Sequence, residues 1–332
     1  MTTSPDPRHR ASRAETWPSL PLDEWRDTYA TLHMWTQVVG KVRLAQSPMV
    51  NHWWQAPLYV TSRGLTTSPI PYGSEVFQID FDFLDHQLRI ATSEDASRSV
   101  ALAPRTVADF YHEFMAALRS LGLEVRIWTT PVEVQEVIPF ERDKTHAAYD
   151  AEYAHRWWRI MVQADRVFKA FRGRFLGKSS PVHLFWGALD LAVTRFSGRP
   201  APPYTGGAPN VGLHVMRESY SHEVISAGFW PGDGRLPEPA FYTYAVPEPP
   251  GFREARVYPK DAFYNADLGE FILPYDAVRM AERPEELLLE FLQSTYEAGA
   301  TLGRWDRHAL EERPGWVRGA DGPRESAGTA PA

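Results

Sequence analysis

The strongest constraint on the fold is a change of hydrophobic period, from helical to alternating and back, that occurs twice along the chain. In the first half, apolar residues recur every three or four positions from Leu22 to Val39, which predicts a helix. Residues 75–83 (EVFQIDFDF) then alternate, which predicts a strand with Phe81 buried and Asp80 on a wet face. The other elements expected in this half are strands at 52–62, 87–91, 98–102 and 124–128 and a helix at 106–120.

The second half repeats this order of elements. Its expected elements are a long helix at 149–175, strands at 183–195, 220–229, 240–246 and 270–273, and a closing helix at 284–302. Three residue matches accompany the repeat: Tyr72–Val76 with Tyr220–Val224, His112–Gly122 with Leu289–Gly299, and Trp54, Ala56 and Arg63 with Trp186, Ala188 and Arg195. Self-similarity in one order is typical of repeated units. We therefore predict an α+β fold of two related α-β-β-β-β-α modules, an internal duplication with antiparallel sheets packed against helices.

The domain boundaries follow from breaks in this periodicity. Residues 1–15 and 313–332 are polar and lack an apolar period, which predicts disordered tails. A linker at 131–149 separates a first module at 16–130 from a second at 150–312. The segment from Arg199 to Asn210 (RPAPPYTGGAPN) contains several prolines and a Gly-Gly pair, so we expect a turn-rich excursion that can serve as a lid.

The composition excludes several classes of protein. The chain has no cysteine, so it cannot hold a disulfide framework, a thiolate nucleophile or an iron–sulfur cluster. A formal charge of −7 gives no indication of a nucleic-acid groove. No apolar run approaches the roughly 18 residues of a membrane helix, and the N-terminus lacks a signal-peptide core. We expect a soluble, cytoplasmic protein without nucleic-acid or membrane partners; its oligomeric state is left open.

Common catalytic and cofactor motifs are absent as well. The chain lacks a GxxxxGK[ST] phosphate loop, a GxGxxG turn, an HExxH helix and a GxSxG elbow. The spacing of the histidines encodes no metal site. We therefore predict neither a cofactor nor a metal.

Long segments of the chain resemble one bacterial family, labelled domain of unknown function 5996. These segments are YATLHMWTQVVGKVRL, NHWWQAPLYVTSRGLTTSPIPYG, SPVHLFWGALDLAVTRFSGR, ESYSHEVISAGFWPG and EFLQSTYEAGATLGRWDRHALE. The resemblance runs from about Trp17 to Glu312, nearly all of the predicted ordered chain. It implies no reaction, cofactor or catalytic residue.

The candidate catalytic residues are polar groups near the ends of apolar strands. His183 opens the segment HLFWGALDLAVTRF, and His222 lies two residues after Tyr220 on the same predicted strand face. A neutral imidazole can act as a general base or a proton shuttle near neutral pH. We predict catalytic roles for His222, His183 and Tyr220; structural pairing of each histidine with a backbone carbonyl is the alternative.

The candidate substrate-binding residues are Arg195, His52 and Arg63. His52 opens the first-half segment HWWQAPLYV, and the two arginines follow apolar runs in the two halves. A guanidinium can hold a carboxylate or phosphate in a fork. The alternative is structural: Arg63 and Arg195 would pair with Glu75 and Glu223, which head the core-facing rows of their strands.

Two classes of function remain open at this stage. The first is an enzyme that acts on a small polar or aromatic metabolite in a cleft between the modules, with histidine as acid or base and arginine holding an anionic group. The second is a non-catalytic module that binds a small molecule or a protein. A deep pocket with converging polar groups favours the first, and an exposed apolar patch favours the second.

Overall fold

Two antiparallel sheets with their own helices make up the described part of the chain. The computed structural model describes residues 16–233 and 236–311, so the predicted tails at 1–15 and 313–332 lie outside it. Within the described residues there are seven α-helices and two sheets of six strands. None of the helices in these residues is long and apolar enough to cross a membrane.

The elements follow the predicted order with few exceptions. The helices are α1 (Leu22–Gln46), α2 (Val107–Ser120), α3 (Ala151–Arg172), α4 (Leu213–Ser219), α5 (Tyr275–Met280), α6 (Pro284–Leu302) and α7 (Arg307–Leu310). The strands are β1 (Tyr59–Val60), β2 (Gly64–Thr66), β3 (Ile70–Tyr72), β4 (Glu75–Asp82), β5 (Gln87–Thr92), β6 (Ser97–Ala101), β7 (His183–Phe185), β8 (Asp190–Pro200), β9 (His222–Trp230), β10 (Ala240–Val246), β11 (Phe263–Asn265) and β12 (Glu270–Pro274).

The two sheets meet edge to edge. The first sheet has the order β1-β2-β4-β5-β6, with β3 also paired to β4, and the second has the order β11-β12-β10-β9-β8-β7. Leu58, which precedes β1, and Leu184, in β7, exchange two backbone hydrogen bonds of 2.9 and 2.8 Å. Helices α1 and α2 pack on the first sheet, and α3 and α6 on the second. The second sheet therefore keeps one face free of these long helices.

The predicted facing of β4 is confirmed for its aromatic row. Phe81 is 1% exposed, whereas Asp80 on the opposite face is only partly buried. The exception is Asp82, which was expected on the wet face but is 3% exposed. Arg63 Nε donates to its carboxylate at 2.6 Å, and Leu84 N–H donates at 3.0 Å. These partners compensate the cost of burying the charge.

Three strand predictions are wrong. No strand forms at residues 124–128, and the strand expected at 52–62 forms only as the short β1, after a 3-10 turn at Asn51–Trp53. The strand expected at 183–195 is a hairpin of β7 and β8. The turn falls at 186–189, where the Trp186 ring packs so closely on Gly40 of α1 that a Cβ on Gly40 would overlap it. The Trp186 indole also donates to the Ala56 carbonyl at 2.9 Å. Long-range packing thus bends an apolar run that carries no strong turn signal.

The two halves share an order of elements, but their residue matches only partly correspond. Each half runs helix, five antiparallel strands in one order, and helix, if β3 and β11 are set aside. Glu75 and Glu223 both lie at the start of matched strands. In contrast, Gly122 follows the end of α2 with φ +77°, whereas Gly299 lies inside α6. The duplication therefore stays a prediction.

Candidate functional site

A cavity of about 920 Å³ lies on the face of the second sheet that α3 and α6 leave free. Its floor is formed by β7 to β10 and the start of β12. Its cover comes from α4, the Pro-rich excursion, a 3-10 turn at Asn51–Trp53, and residues 126–133 of the connection between the halves. Both halves of the chain thus line one cavity, and ligand sites commonly form where two substructures meet.

The middle of the floor is a trough made by two small residues. Register across the sheet places His183 beside Ala192, Ala192 beside Gly228, and Gly228 beside Tyr242. A Cβ on Gly228 would overlap the Tyr242 hydroxyl and approach the Leu191 carbonyl oxygen. The missing side chain therefore lets the Tyr242 phenol lie flat across β9 toward β8.

A second row on the floor carries hydroxyl groups. Thr194 and Ser226 are paired across β8 and β9, with 2.9 Å between their hydroxyl oxygens. Ser226 also hydrogen-bonds the Tyr244 hydroxyl, which lies 3.0 Å from the Tyr220 hydroxyl. Burial raises the pKa of both tyrosines far above neutral, so their hydroxyls keep their protons. The hydroxyl groups of this row can therefore donate and accept hydrogen bonds while they stay neutral.

Asp190 provides a carboxylate at the start of β8. The Tyr242 hydroxyl donates to its Oδ2 atom. Burial raises the pKa of Asp190 to about 6, although the tyrosine hydrogen bond opposes this shift. The side chain is consequently ionised at neutral pH and held in a fixed orientation by Tyr242.

Glu133 brings a second carboxylate to the cavity from the connection between the halves. Its backbone has φ +58°, and its N–H donates to the Pro209 carbonyl at 2.7 Å. The carboxylate lies against Gly187, where a Cβ would overlap it. The side chain is exposed to the solvent in the cavity. Desolvation, with the charge of Asp190 as a second cause, raises the pKa of Glu133 to about 7.

The raised pKa of Glu133 predicts a pH-dependent stability difference. The folded protein holds a proton on Glu133 between its ordinary value of 4.5 and about 7, a range in which the unfolded chain has lost it. The free energy of unfolding should therefore fall across this range relative to Glu133→Gln, and the difference should be constant above it. Chemical denaturation of both proteins from pH 4 to 8 measures this. A difference that does not vary with pH would contradict the placement of Glu133.

His52 lines the cavity but has both ring nitrogens engaged. Nδ1 lies 3.2 Å from the Glu218 carbonyl oxygen, so it carries the proton and donates. Nε2 then accepts a hydrogen bond from Lys178 Nζ at 2.6 Å. Burial and the Lys178 charge lower the pKa of His52. With φ +58° the residue lies in the left-handed region, so the 3-10 turn is held to α4 in a strained conformation.

The three residues predicted to be catalytic lie in different parts of this region. Tyr220 belongs to the hydroxyl row, and His183 lies in the floor. Neither ring nitrogen of His183 has a hydrogen-bond partner within residues 16–233 and 236–311, and burial lowers its pKa to about 3. His222 is outside the cavity lining. Its ring meets the edge of the His52 ring at 5.7 Å, and Nδ1 lies 3.1 Å from the Ser221 hydroxyl.

The two predicted substrate-binding arginines do not reach the cavity. Arg195 faces α3 and α6 because it has the opposite parity to Thr194 on β8, and it donates to the Phe171 carbonyl. The expected convergence of His222, His183 and Arg195 on one cavity is therefore not formed. Arg63 lies between β1 and β2 and binds Asp82 at 2.6 Å and Asp85 at 2.9 Å.

The alternative ion pairs predicted for these arginines are also wrong. Glu223 pairs with Arg199 at 2.6 Å instead of Arg195. Arg63 binds the aspartates of the β4–β5 turn instead of Glu75. In both cases the alternation of side chains selected a carboxylate on the expected face, but this carboxylate lies too far from the arginine along the strand direction.

Most of the polar groups in the cavity were missed from the sequence. Tyr242 and Tyr244 follow period-two spacing in the strand AFYTYAV, which is a readable signal for a shared face. Asp190 is a lone acidic residue in an apolar run. Glu133 carries no local signal, since it lies in an irregular connection. Within the described ranges, no group of three or more His, Asp or Glu side chains could hold a metal ion.

The fold and the site define a class: an α+β protein of two helix-backed antiparallel sheets, with a cavity lined by carboxylates and phenols. The chain belongs to the family of unknown function DUF5996, whose model matches residues 17–312. This match confirms the resemblance read from the sequence. No curated protein and no solved structure matches the chain. The function therefore has to be argued from the cavity itself.

Proposed function

We propose that this protein is an enzyme that catalyses a proton-transfer reaction on a small polar or aromatic metabolite enclosed in the cavity. Glu133 acts as the general base, and Asp190 with Tyr242 orients the substrate. The observation that carries this proposal is that two carboxylates from distant parts of the chain line one cavity. Among the described residues, neither carboxylate has an arginine, lysine or histidine nitrogen within 4.0 Å.

Glu133 is better suited to proton transfer than the histidines. A general base works best when its pKa is close to the working pH, and the pKa of Glu133 is about 7. The pKa of His183, about 3, makes it a weak base. His52 already uses both ring nitrogens. We therefore propose a carboxylate base in place of the histidine base expected from the sequence. The proposal does not include an arginine that holds an anionic group of the substrate.

The proposal predicts loss of turnover in Glu133→Gln. We expect wild-type protein to deplete one or a few compounds from a mixture of cell metabolites. Mass spectrometry of the mixture measures this depletion. Glu133→Gln should deplete them at least about 100-fold more slowly, because a positioned general base contributes at least this factor. Asp80→Asn, a matched change on the first sheet outside the cavity, should behave as wild type. The wild-type rate should rise with pH through about 7, since only ionised Glu133 accepts a proton.

Equal rates in wild type and Glu133→Gln would overturn the role of Glu133. A second candidate function, non-catalytic binding of a small molecule, is favoured by the aromatic groups beside Asp190, namely Phe185 and Trp230. It predicts that wild-type protein retains a compound without changing it. Mass spectrometry of the retained and the consumed compounds separates these two outcomes.

A further inference from the structure

We propose that the ligand of this cavity is an organic cation, an amine or quaternary ammonium group carried on an apolar or aromatic body. The cationic group lies between Asp190 and Glu133. This inference rests on the proposed function, because it assigns the class of ligand to the same cavity.

The charges in the cavity are the first reason. Asp190 is held by a neutral phenol, and Glu133 lies against the backbone of Gly187. Within the described residues, neither forms an ion pair. The mutual repulsion of the two carboxylates contributes to the raised pKa of Glu133. Like charges in one cavity repel each other, so a ligand that brings positive charge would remove this unfavourable arrangement.

The basic residues of the lining do not provide this charge. Lys41 Nζ donates to the Thr130 carbonyl and lies 4.4 Å from the centroid of the Trp128 ring. Arg126 belongs to the same segment and is exposed. Within the described residues, neither Lys41 nor Arg126 forms a salt bridge with Asp190 or Glu133.

The surroundings of Asp190 are aromatic on both sides. Register pairs Asp190 with Phe185 on β7. On β9 the pairing of Leu191 with Phe229 puts Trp230 beside Asp190 on the cavity face. Aromatic faces attract cations, and tryptophan does so most strongly. A carboxylate flanked by aromatic rings is a combination that recognises an ammonium group rather than a neutral or anionic one.

His183 is a buried polar group in the cavity floor, beside Ala192 in the trough that leads toward Tyr242. A neutral imidazole has one donor and one acceptor nitrogen, and no residue in the described ranges satisfies either. Because neither ring nitrogen is exposed to solvent, a polar group of the ligand would reach them only after a neighbouring side chain moves.

Calorimetric titration with three small probes tests the inference. The full-length protein is titrated at about pH 8 with benzylamine, benzyltrimethylammonium and benzyl alcohol, which share one aromatic body. We expect at least one of the two cations to bind about tenfold or more tightly than the alcohol, because a charge-assisted contact exceeds a neutral one by about this factor. Asp190→Asn and Glu133→Gln should each lower the cation affinity about tenfold and leave the alcohol within about threefold.

The controls separate this inference from the proposed function. Asp80→Asn should bind all three probes as wild type does, and the unfolding midpoint of each variant verifies its fold; two variants are used so that one can fail to fold without loss of the test. Binding of the alcohol as tightly as the cations, or binding of no probe, overturns the cation assignment. If the protein nevertheless consumes a neutral or anionic metabolite and Glu133→Gln does not, the proposed function stands without the cation assignment.

Discussion

Truncation of Phe229 to alanine is expected to lower the free energy of unfolding by about 3–5 kcal/mol. Phe229 is fully buried between the second sheet and its helices, with its ring centroid 5.2 Å from that of Phe241 and 5.7 Å from that of Tyr275. Both neighbours are large rings held by their own contacts. They therefore cannot move far enough to fill the void that the truncated side chain leaves. Equilibrium denaturation in urea measures the loss.

The same truncation at Phe81 in the first sheet should cost a similar amount. Phe81 is 1% exposed and stacks on Phe83 with a centroid distance of 6.1 Å. Asp80→Ala is the matched control, because Asp80 neighbours Phe81 but faces the other side of β4, and it should stay within about 0.5 kcal/mol of wild type. Equal denaturation midpoints for the three variants would refute the assigned facing.

Arg195 should tolerate a long apolar side chain far better than truncation. Its guanidinium carbon lies 3.5 Å from the centroid of the Phe171 ring and 4.2 Å from that of the Tyr296 ring. Burial lowers its pKa to about 9, so it stays charged at neutral pH, and among the described residues no carboxylate lies within salt-bridge distance of it. Arg195→Ala leaves a large void and should cost about 3–5 kcal/mol. Arg195→Met fills the space without the desolvation cost, and it should cost less than about 1 kcal/mol or stabilise the fold.

The two Arg195 variants also separate a structural role from a ligand-binding role. If Arg195 stabilises the packing of α3 and α6 on the sheet, Arg195→Met keeps both metabolite turnover and probe binding. A folded Arg195→Met protein that has lost binding would restore the role in substrate recognition suggested by the sequence. Calorimetry of the variant under the conditions used for wild type distinguishes these results.

The position of the cavity reflects a difference between the two halves. Between β8 and β9 the chain makes the Pro-rich excursion at 201–212 and then α4, and both cover the floor. Between the matching strands of the first half, β2 and β4, there is only the short strand β3, which pairs with β4. The cavity therefore forms on the second sheet, where the inserted segment covers the floor. The Pro209 carbonyl of this segment accepts a hydrogen bond from the Glu133 N–H.

Local sequence was sufficient to predict most of the secondary structure. The closing helix and β10 have the bounds read from their periodicity, and the aromatic row of β4 is buried as alternation requires. Alternation along β9 also places Ser226 on the cavity face, opposite Glu223. These features follow from the period of side chains along one element, which is a property of neighbouring residues.

The candidate site required the tertiary structure. Alternation indicates that the two faces of a strand differ. Because both faces of β8 are mostly buried, alternation does not indicate which face packs on the helices and which face lines the cavity. Arg195 was consequently assigned to the wrong side. Glu133 lines the same cavity as Asp190 because an irregular connection packs on Pro209 and Gly187. The sequence by itself determined the elements and their amphipathic faces, whereas the meeting of two carboxylates depends on contacts between residues far apart in the chain, which no local period encodes.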